Sequence, residues 1–242
     1  MKTIAICNHK GGTAKTTTTY WLARHIAAMG RHPLCIDKDS QASLTRILHG
    51  RIDHSNAIGD VLTGHTSLIN AMQACSIDPN IGLVGTDIKL NQVATYVQSR
   101  SPNHNLLARA IRAQQGIIDG PILIDCPPSA DILVVNALFA ADYVVIPVDP
   151  CEEAIAGMKR MGAMVAELND LADAKTQILG CVITKANLNV NAHLDFIREI
   201  QETIGNPFVL GVIPLRQGVD AAAKISAAYA SVAHAIMDRI EA

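Results

Sequence analysis

Three features of the sequence predict an α/β fold, with a doubly wound, mostly parallel sheet and helices on both faces. Short apolar runs alternate with amphipathic stretches of helix length from one end of the chain to the other. Several of these runs are continuously apolar, as strands buried on both faces are. A glycine-containing turn joins the first run to the first helical stretch, and later runs end in aspartate, which places polar groups at the carboxyl edge where such sheets bind ligands. With 242 residues, 49% hydrophobic and 17% charged, one large domain spanning 1–242 is expected rather than two.

The first strand is Thr3-Ile4-Ala5-Ile6-Cys7, and the helix after the turn runs from about Thr17 to Met29, with Gly30 as its C-cap. Pro33-Leu34-Cys35-Ile36 forms the second strand and leads into Asp37-Lys38-Asp39-Ser40-Gln41, followed by a helix over Ala42 to Leu48. From Ser55 to Gln115 the pattern is mostly helical. Ala57, Ile58, Val61 and Leu62 carry one apolar stripe, Leu90, Val93, Ala94 and Val97 carry another, and a short strand at Ile81 to Gly85 lies between them. Ile122 to Asp125 is a buried strand followed by Cys126-Pro127-Pro128. A helix at Ile132 to Ala140, a strand at Tyr143 to Val148 and a helix at Glu153 to Leu168 come next. A strand at Ile178 to Thr184, a helix marked by Val190, Leu194, Ile197, Ile200 and Ile204, and a strand at Phe208 to Pro214 complete the alternation.

A net charge of −2 gives no general attraction to nucleic acid, so any such binding needs a local patch. The six cysteines form no Cys-x-x-Cys pair, and Cys7, Cys35, Cys126 and Cys181 sit in or beside strand-like runs, where a thiol packs as a small hydrophobe. No run approaches the roughly 20 apolar residues of a membrane span. Met1-Lys2-Thr3 leads straight into the first strand, so a cytoplasmic location is expected.

The turn Asn8-His9-Lys10-Gly11-Gly12-Thr13-Ala14-Lys15-Thr16-Thr17 lies between strand and helix, where free amide N–H groups and the helix dipole attract phosphate. Lys15 adds a mobile charge there, and the Thr16 hydroxyl is a ligand for Mg²⁺. The usual phosphate-loop pattern has glycine where His9 and Ala14 stand. Alone, the stretch also reads as a Gly-rich turn with solvated lysines. Strand alternation sets Asp37 and Asp39 on one face if the extended geometry continues, and two close carboxylates call for a cation between them. Asp39 taken alone also suits the N-cap of the next helix. Asp125 ends a buried strand at the ligand-binding edge.

Lys10-Gly11-Gly12-Thr13-Ala14-Lys15-Thr16 resembles the deviant Walker A motif, Lys-Gly-Gly-x-x-Lys-Thr, of the ParA/MinD family of P-loop ATPases, most of all its short ParA/Soj-type partition members. Asp37 to Gln41 matches the family's Asp-x-Asp-Pro-Gln with Ser40 for proline, and Asp125-Cys126-Pro127-Pro128 is similar to its Walker B ending. The resemblance implies ATP and Mg²⁺ as ligands. Gly11, Gly12, Thr13, Ala14, Lys15, Thr16 and Thr17 would cradle the phosphates. Thr16, Asp37 and Asp125 would serve the metal, and Asp39 would handle the attacking water. Lys10 would reach the nucleotide of the second subunit in an ATP-bound homodimer. The family's aromatic-containing loop is replaced by Asp149-Pro150-Cys151-Glu152-Glu153, and its adenine loops fall near Thr184 to Asn187 and Pro214 to Gln217.

The implied function is a slow, partner-stimulated ATPase whose dimer binds DNA non-specifically, with a ParB-like adaptor or cargo protein and a nucleoid-associated location. It would partition plasmid or chromosomal DNA or position a cargo. Arg198, Arg216 and Lys224, with Lys185, are candidate DNA contacts. The alternative is a MinD-like membrane switch, although Ile236 to Ala242 lacks the lysine cluster an anionic membrane favours, so no membrane partner is expected. A metabolic or iron–sulfur relative is a third reading, with Cys126 and Cys151 as its weak cysteine signal.

Overall fold

The computed structural model describes residues 1–49, 56–99, 103–172, 174–215, 218 and 220–242. Strand β1 (Thr3–Ile6) feeds helix α1 (Lys15–Ala28), then β2 (Leu34–Asp37) and α2 (Ser43–His49). Helices α3 (Ile58–Thr63) and α4 (Leu68–Ala71) precede the short strands β3 (Gln73–Ala74) and β4 (Gly82–Val84). Helices α5 (Leu90–Gln98) and α6 (Leu106–Arg112) lead to β5 (Ile122–Asp125) and α7 (Ile132–Ala140). The remainder is β6 (Tyr143–Val148), α8 (Glu153–Ala172), β7 (Gln177–Ala186), α9 (Asn191–Ile204), β8 (Val209–Pro214) and α10 (Ala221–Glu241).

Among the described residues, the strands form one sheet in the order β3-β4-β2-β5-β1-β6-β7-β8, parallel except for the β3–β4 pair. β1, β2 and β5 are buried along their whole length, which is why they read as continuous apolar runs. On one face of the sheet α1, α2 and α10 enclose Leu22, Ile26, Leu44, Leu48, Val232 and Ile236. On the other face, side chains of α3, α5, α6, α7, α8 and α9 pack over Ile36, Ile124, Val144 and Ile183.

The expected strands and helices form within a few residues of their expected ends. Two elements depart from expectation. β3 is two residues long and exists through its antiparallel pairing with β4, so it carries no periodicity of its own. α10 is a continuous helix of 21 residues, and its apolar stripe, including Tyr229, Val232, Ile236 and Ile240, is spent on the core. Cys7, Cys35, Cys126 and Cys181 are buried among apolar side chains, whereas Cys151 is half-exposed. Among the described residues, no helix is long and apolar enough to cross a membrane.

Candidate active site

β1 lies between β5 and β6, so the turn that follows it emerges at the centre of the sheet's carboxyl edge. The turn closes through two left-handed residues, Gly12 at φ 76° and Ala14 at φ 63°. Glycine adopts the first without cost, while the Ala14 Cβ makes the second strained. Ala14 is the N-cap of α1, which therefore starts at Lys15, two residues earlier than the sequence suggests. The first helical hydrogen bond runs from the Thr18 N–H to the Ala14 carbonyl. Among the described residues, no hydrogen bond engages the amide N–H groups of Gly11 to Thr17, so they stand free around the hollow of the turn. His9, in place of the usual glycine, ties the turn to the loop after β5, with its Nδ1 3.0 Å from the Ser129 carbonyl.

The two lysines occupy different environments. Lys15 is buried, donates to the Lys10 carbonyl at 3.1 Å, and has its pKa lowered by the loss of water around the ammonium. Lys10 projects outward and donates to Glu153 Oε2 at 2.7 Å and to Cys151 Sγ at 3.2 Å. The Glu153 bond holds the Lys10 pKa above its usual value and the Glu153 pKa below its own. Both acceptors come from the segment that stands where the family's aromatic loop was expected. A cavity of about 270 Å³ lies between the turn and α8, lined by Lys10, Cys151, Glu153 and Arg160 among others. A larger cavity of about 630 Å³ opens at the amino ends of the strands beside Met1, Arg112 and Lys175 and touches none of the motif residues.

The aspartates meet because β2 and β5 are neighbours in register, with Asp37 directly opposite Asp125. Asp125 Oδ2 accepts from the Thr16 hydroxyl at 2.7 Å, and Thr19, which sequence reasoning missed, reaches Oδ1 at 3.4 Å. Asp37 Oδ2 accepts from the Thr45 amide at 2.8 Å and the Thr45 hydroxyl at 2.7 Å, and its Oδ1 accepts from the Asp39 amide at 3.1 Å. Burial raises the Asp37 pKa to about 6, against the pull of those bonds. Asp125, fully buried beside Asp37, is raised well above the usual carboxylate range by burial first and by its neighbour's charge second.

The arrangement around Asp39 differs from the expectation. β2 ends at Asp37, so the chain turns before Asp39 rather than carrying both carboxylates along one extended face. Asp39 is half-buried and accepts from the Gln41 amide at 3.0 Å, before α2 begins; the carboxylate that takes a helix amide is Asp37, through Thr45. Between the two in the chain lies Lys38. It is fully buried, its Nζ has no hydrogen-bond partner, and burial lowers its pKa to about 8.

The donors near the turn are hard oxygen groups: the Thr16 hydroxyl and two carboxylates that repel one another when both are ionised. That set fits a Mg²⁺ ion shared with phosphate oxygens. Among the described residues, no three His, Cys, Asp or Glu side chains form a cage that would hold a metal by themselves.

Of the candidate DNA contacts, Arg198 pairs with Asp195 at 3.2 Å on α9, and Lys224 is exposed in the first turn of α10. Arg216, and Gln217 of the second adenine loop, lie outside the described residues. Lys185 is exposed, and its ammonium bonds the Gly12 carbonyl of the turn. The local sequence carries no signal for that contact, because β7 reaches the turn only through the sheet order.

Residues 1–178 match the AAA_31 family, described as an AAA domain. The chain is 29% identical over 219 residues to the chromosome partitioning protein ParA of Caulobacter vibrioides, covering 88% of this chain and 80% of that protein. It is 30% identical over 214 residues to the sporulation initiation inhibitor protein Soj of Bacillus subtilis, covering 88% and 84%. The fold superposes with a TM-score of 0.89 on cobyrinic acid a,c-diamide synthase from Mycobacterium smegmatis, crystallised with an ATP analog and magnesium. That pair is 24% identical, and the match covers 100% of this chain and 96% of the other. The family match over most of the chain, with the deviant lysine-bearing turn and its two buried aspartates, makes this protein a member of the ParA/MinD family of P-loop ATPases.

Proposed function

We propose that the protein is an ATP-dependent dimerising switch with slow, partner-stimulated ATPase activity, and that residues 1–242 act as one domain. The observation that carries this reading is the convergence on one turn of free amides, the buried Lys15, and the Thr16–Asp125 pair, with Lys10 facing outward. Free amides from Gly11 to Thr17 are the natural seat of a triphosphate. Lys15 bonds only a backbone carbonyl at present and exchanges it for phosphate oxygens when nucleotide enters. Thr16, Asp37 and Asp125 would hold Mg²⁺ and its waters, and the metal supplies the charge neutralisation that phosphoryl transfer requires. Asp39, whose carboxylate among the described residues accepts only from the Gln41 amide, positions or deprotonates the attacking water.

Lys10 is engaged by Glu153 and Cys151 on the outside of the turn, which supports a role toward the nucleotide of a second copy rather than its own. Hydrolysis is thereby coupled to dimerisation. The partition reading takes support from the ParA and Soj relatives, and on it the ATP dimer binds DNA without sequence preference, a ParB-like adaptor or cargo protein triggers release, and the protein is cytoplasmic and nucleoid-associated. It moves plasmid or chromosomal DNA, or another cargo. Burial of the α10 apolar stripe argues against use of that helix as a membrane anchor.

The deciding experiment is DNA binding at low salt with ATP, with ADP and with Lys10→Ala. Binding that needs ATP and Lys10, and weakens with salt, is expected. Absence of DNA binding by the ATP form would refute the partition reading, and ATP-dependent dimerisation by Lys10→Ala would refute the cross-subunit role. Asp39→Ala should keep ATP binding and accumulate the dimer, so unchanged hydrolysis by that variant would remove Asp39 from the mechanism.

A further inference from the structure

We propose that Lys185 is a positioning residue for the nucleotide: by bonding the Gly12 carbonyl from outside, its ammonium holds the turn with the following amide, that of Thr13, aimed into the hollow. The inference rests on the reading of that turn as the nucleotide site. The grip on the turn comes from the end of β7. Lys185 Nζ donates to the Gly12 carbonyl, and the buried Thr184 Oγ1, with a single hydrogen to give, lies 3.3 Å from the Thr13 carbonyl, 3.2 Å from the Val148 carbonyl and 3.1 Å from Asp149 Oδ1. In a trans peptide the C=O and the next N–H point in opposite directions. Drawing the Gly12 carbonyl toward β7 therefore turns the Thr13 N–H away from it, toward the hollow. Among the described residues, no hydrogen bond engages that amide.

The grip is itself anchored. Asp149, at the end of β6, lies 3.1 Å from the Thr184 hydroxyl through Oδ1 and 3.9 Å from Lys185 Nζ through Oδ2. Lys185 also has φ 54°, a left-handed conformation rare for a long side chain, at a place where the register between β7 and β8 shifts. Backbone economy alone would favour glycine or asparagine there. A lysine in that conformation signals that its side chain is what the position is used for. At the other end of the contact, Gly12 has φ 76°, the left-handed region that favours glycine, and a Cβ on it would meet Lys185 Nζ at an ordinary 4.0 Å.

The test is Mg²⁺-ATP affinity by calorimetry, with steady-state hydrolysis, for wild type, Lys185→Met, Lys185→Arg and Lys185→Gly. Loss of one charge-assisted bond to a loop carbonyl should weaken ATP binding about tenfold in Lys185→Met. The same change should raise KM about tenfold while kcat falls much less, because the bond orders the empty site and makes no contact with the reacting atoms. Lys185→Arg should recover to within about threefold of wild type. Lys185→Gly relieves the left-handed strain, so it should melt no earlier than wild type and yet bind ATP as weakly as Lys185→Met. ATP binding by Lys185→Met or Lys185→Gly within about twofold of wild type would overturn the role of Lys185. If Lys185→Met melts early, Lys185→Gly decides. A wild-type protein that binds no ATP would instead overturn the nucleotide reading, and the inference would fall with it.

Discussion

Replacing Asp37 by Asn should remove a pH-dependent penalty that the nucleotide-free protein carries. Asp37 is fully buried opposite Asp125, and burial raises its pKa from 3.8 to about 6. For an acid whose folded pKa is raised, the folded state keeps its proton where the unfolded state has lost it. Below about pH 4 both states are protonated and the group has no effect. As pH rises from about 4 to about 6 the unfolded chain is favoured increasingly, and above about 6 the penalty is complete. A rise of about two pH units is worth on the order of 3 kcal/mol. Asn cannot reproduce all three accepted bonds, from the Thr45 amide, the Thr45 hydroxyl and the Asp39 amide, so the variant also loses about 1 kcal/mol at every pH.

That constant loss cancels when the variant is compared with wild type across pH. Urea unfolding in metal-free and nucleotide-free buffer at pH 4 and pH 7.5 should show the variant gaining about 2–3 kcal/mol relative to wild type at the higher pH. Parallel stability profiles for the two proteins would refute the claim that this carboxylate is held at an unfavourable charge.

Lys15→Ala should reduce ATP affinity about a hundredfold or more, measured by calorimetry, because among the described residues no other buried cation has a hydrogen bond to the turn; near-normal binding would displace Lys15 from the phosphate site. Ala14→Gly removes a left-handed strain of about 1–2 kcal/mol at a cost of about 0.5–1 kcal/mol in unfolded-chain entropy. The melting temperature should then rise by about 1–3 °C, and a fall would mean the Cβ is better accommodated than its φ implies. Glu153→Gln frees Lys10 from its own subunit, so ATP-dependent dimerisation, followed by light scattering, should need about two- to threefold less protein; an unchanged concentration dependence would leave the Lys10–Glu153 pair without a regulatory role.

The Thr3-to-Cys7 run and the turn behind it were legible because their signals are local: buried parallel strands must be continuously apolar, and a phosphate loop must join a strand to a helix. The Asp125 strand was legible for the same reason. β3 was not, since a two-residue strand exists only by pairing. The path of Asp39 was misjudged because strand alternation was carried past a turn that the Asp37 carboxylate itself stabilises. Thr19 and Thr45 gave no sequence signal, and nothing local linked Glu153 to Lys10 or Lys185 to Gly12. Each acts through a partner brought near by the sheet order, and threonine, glutamate and lysine are common on any surface.

The cobyrinic acid a,c-diamide synthase likeness also marks what a fold leaves open, since an enzyme of metabolism shares this architecture. Here the sequence by itself determined the fold class, the position of the glycine turn and the two aspartates, Asp37 and Asp125, that end strands, because periodicity and turn chemistry are written within a few consecutive residues. Only the tertiary structure decided that Asp37 faces Asp125, that Lys10 is held by Glu153, and that Lys185 grips Gly12. Those three contacts join segments far apart in the chain. They follow from the strand order β2-β5-β1-β6-β7, which is set by long-range pairing and not by any local stretch.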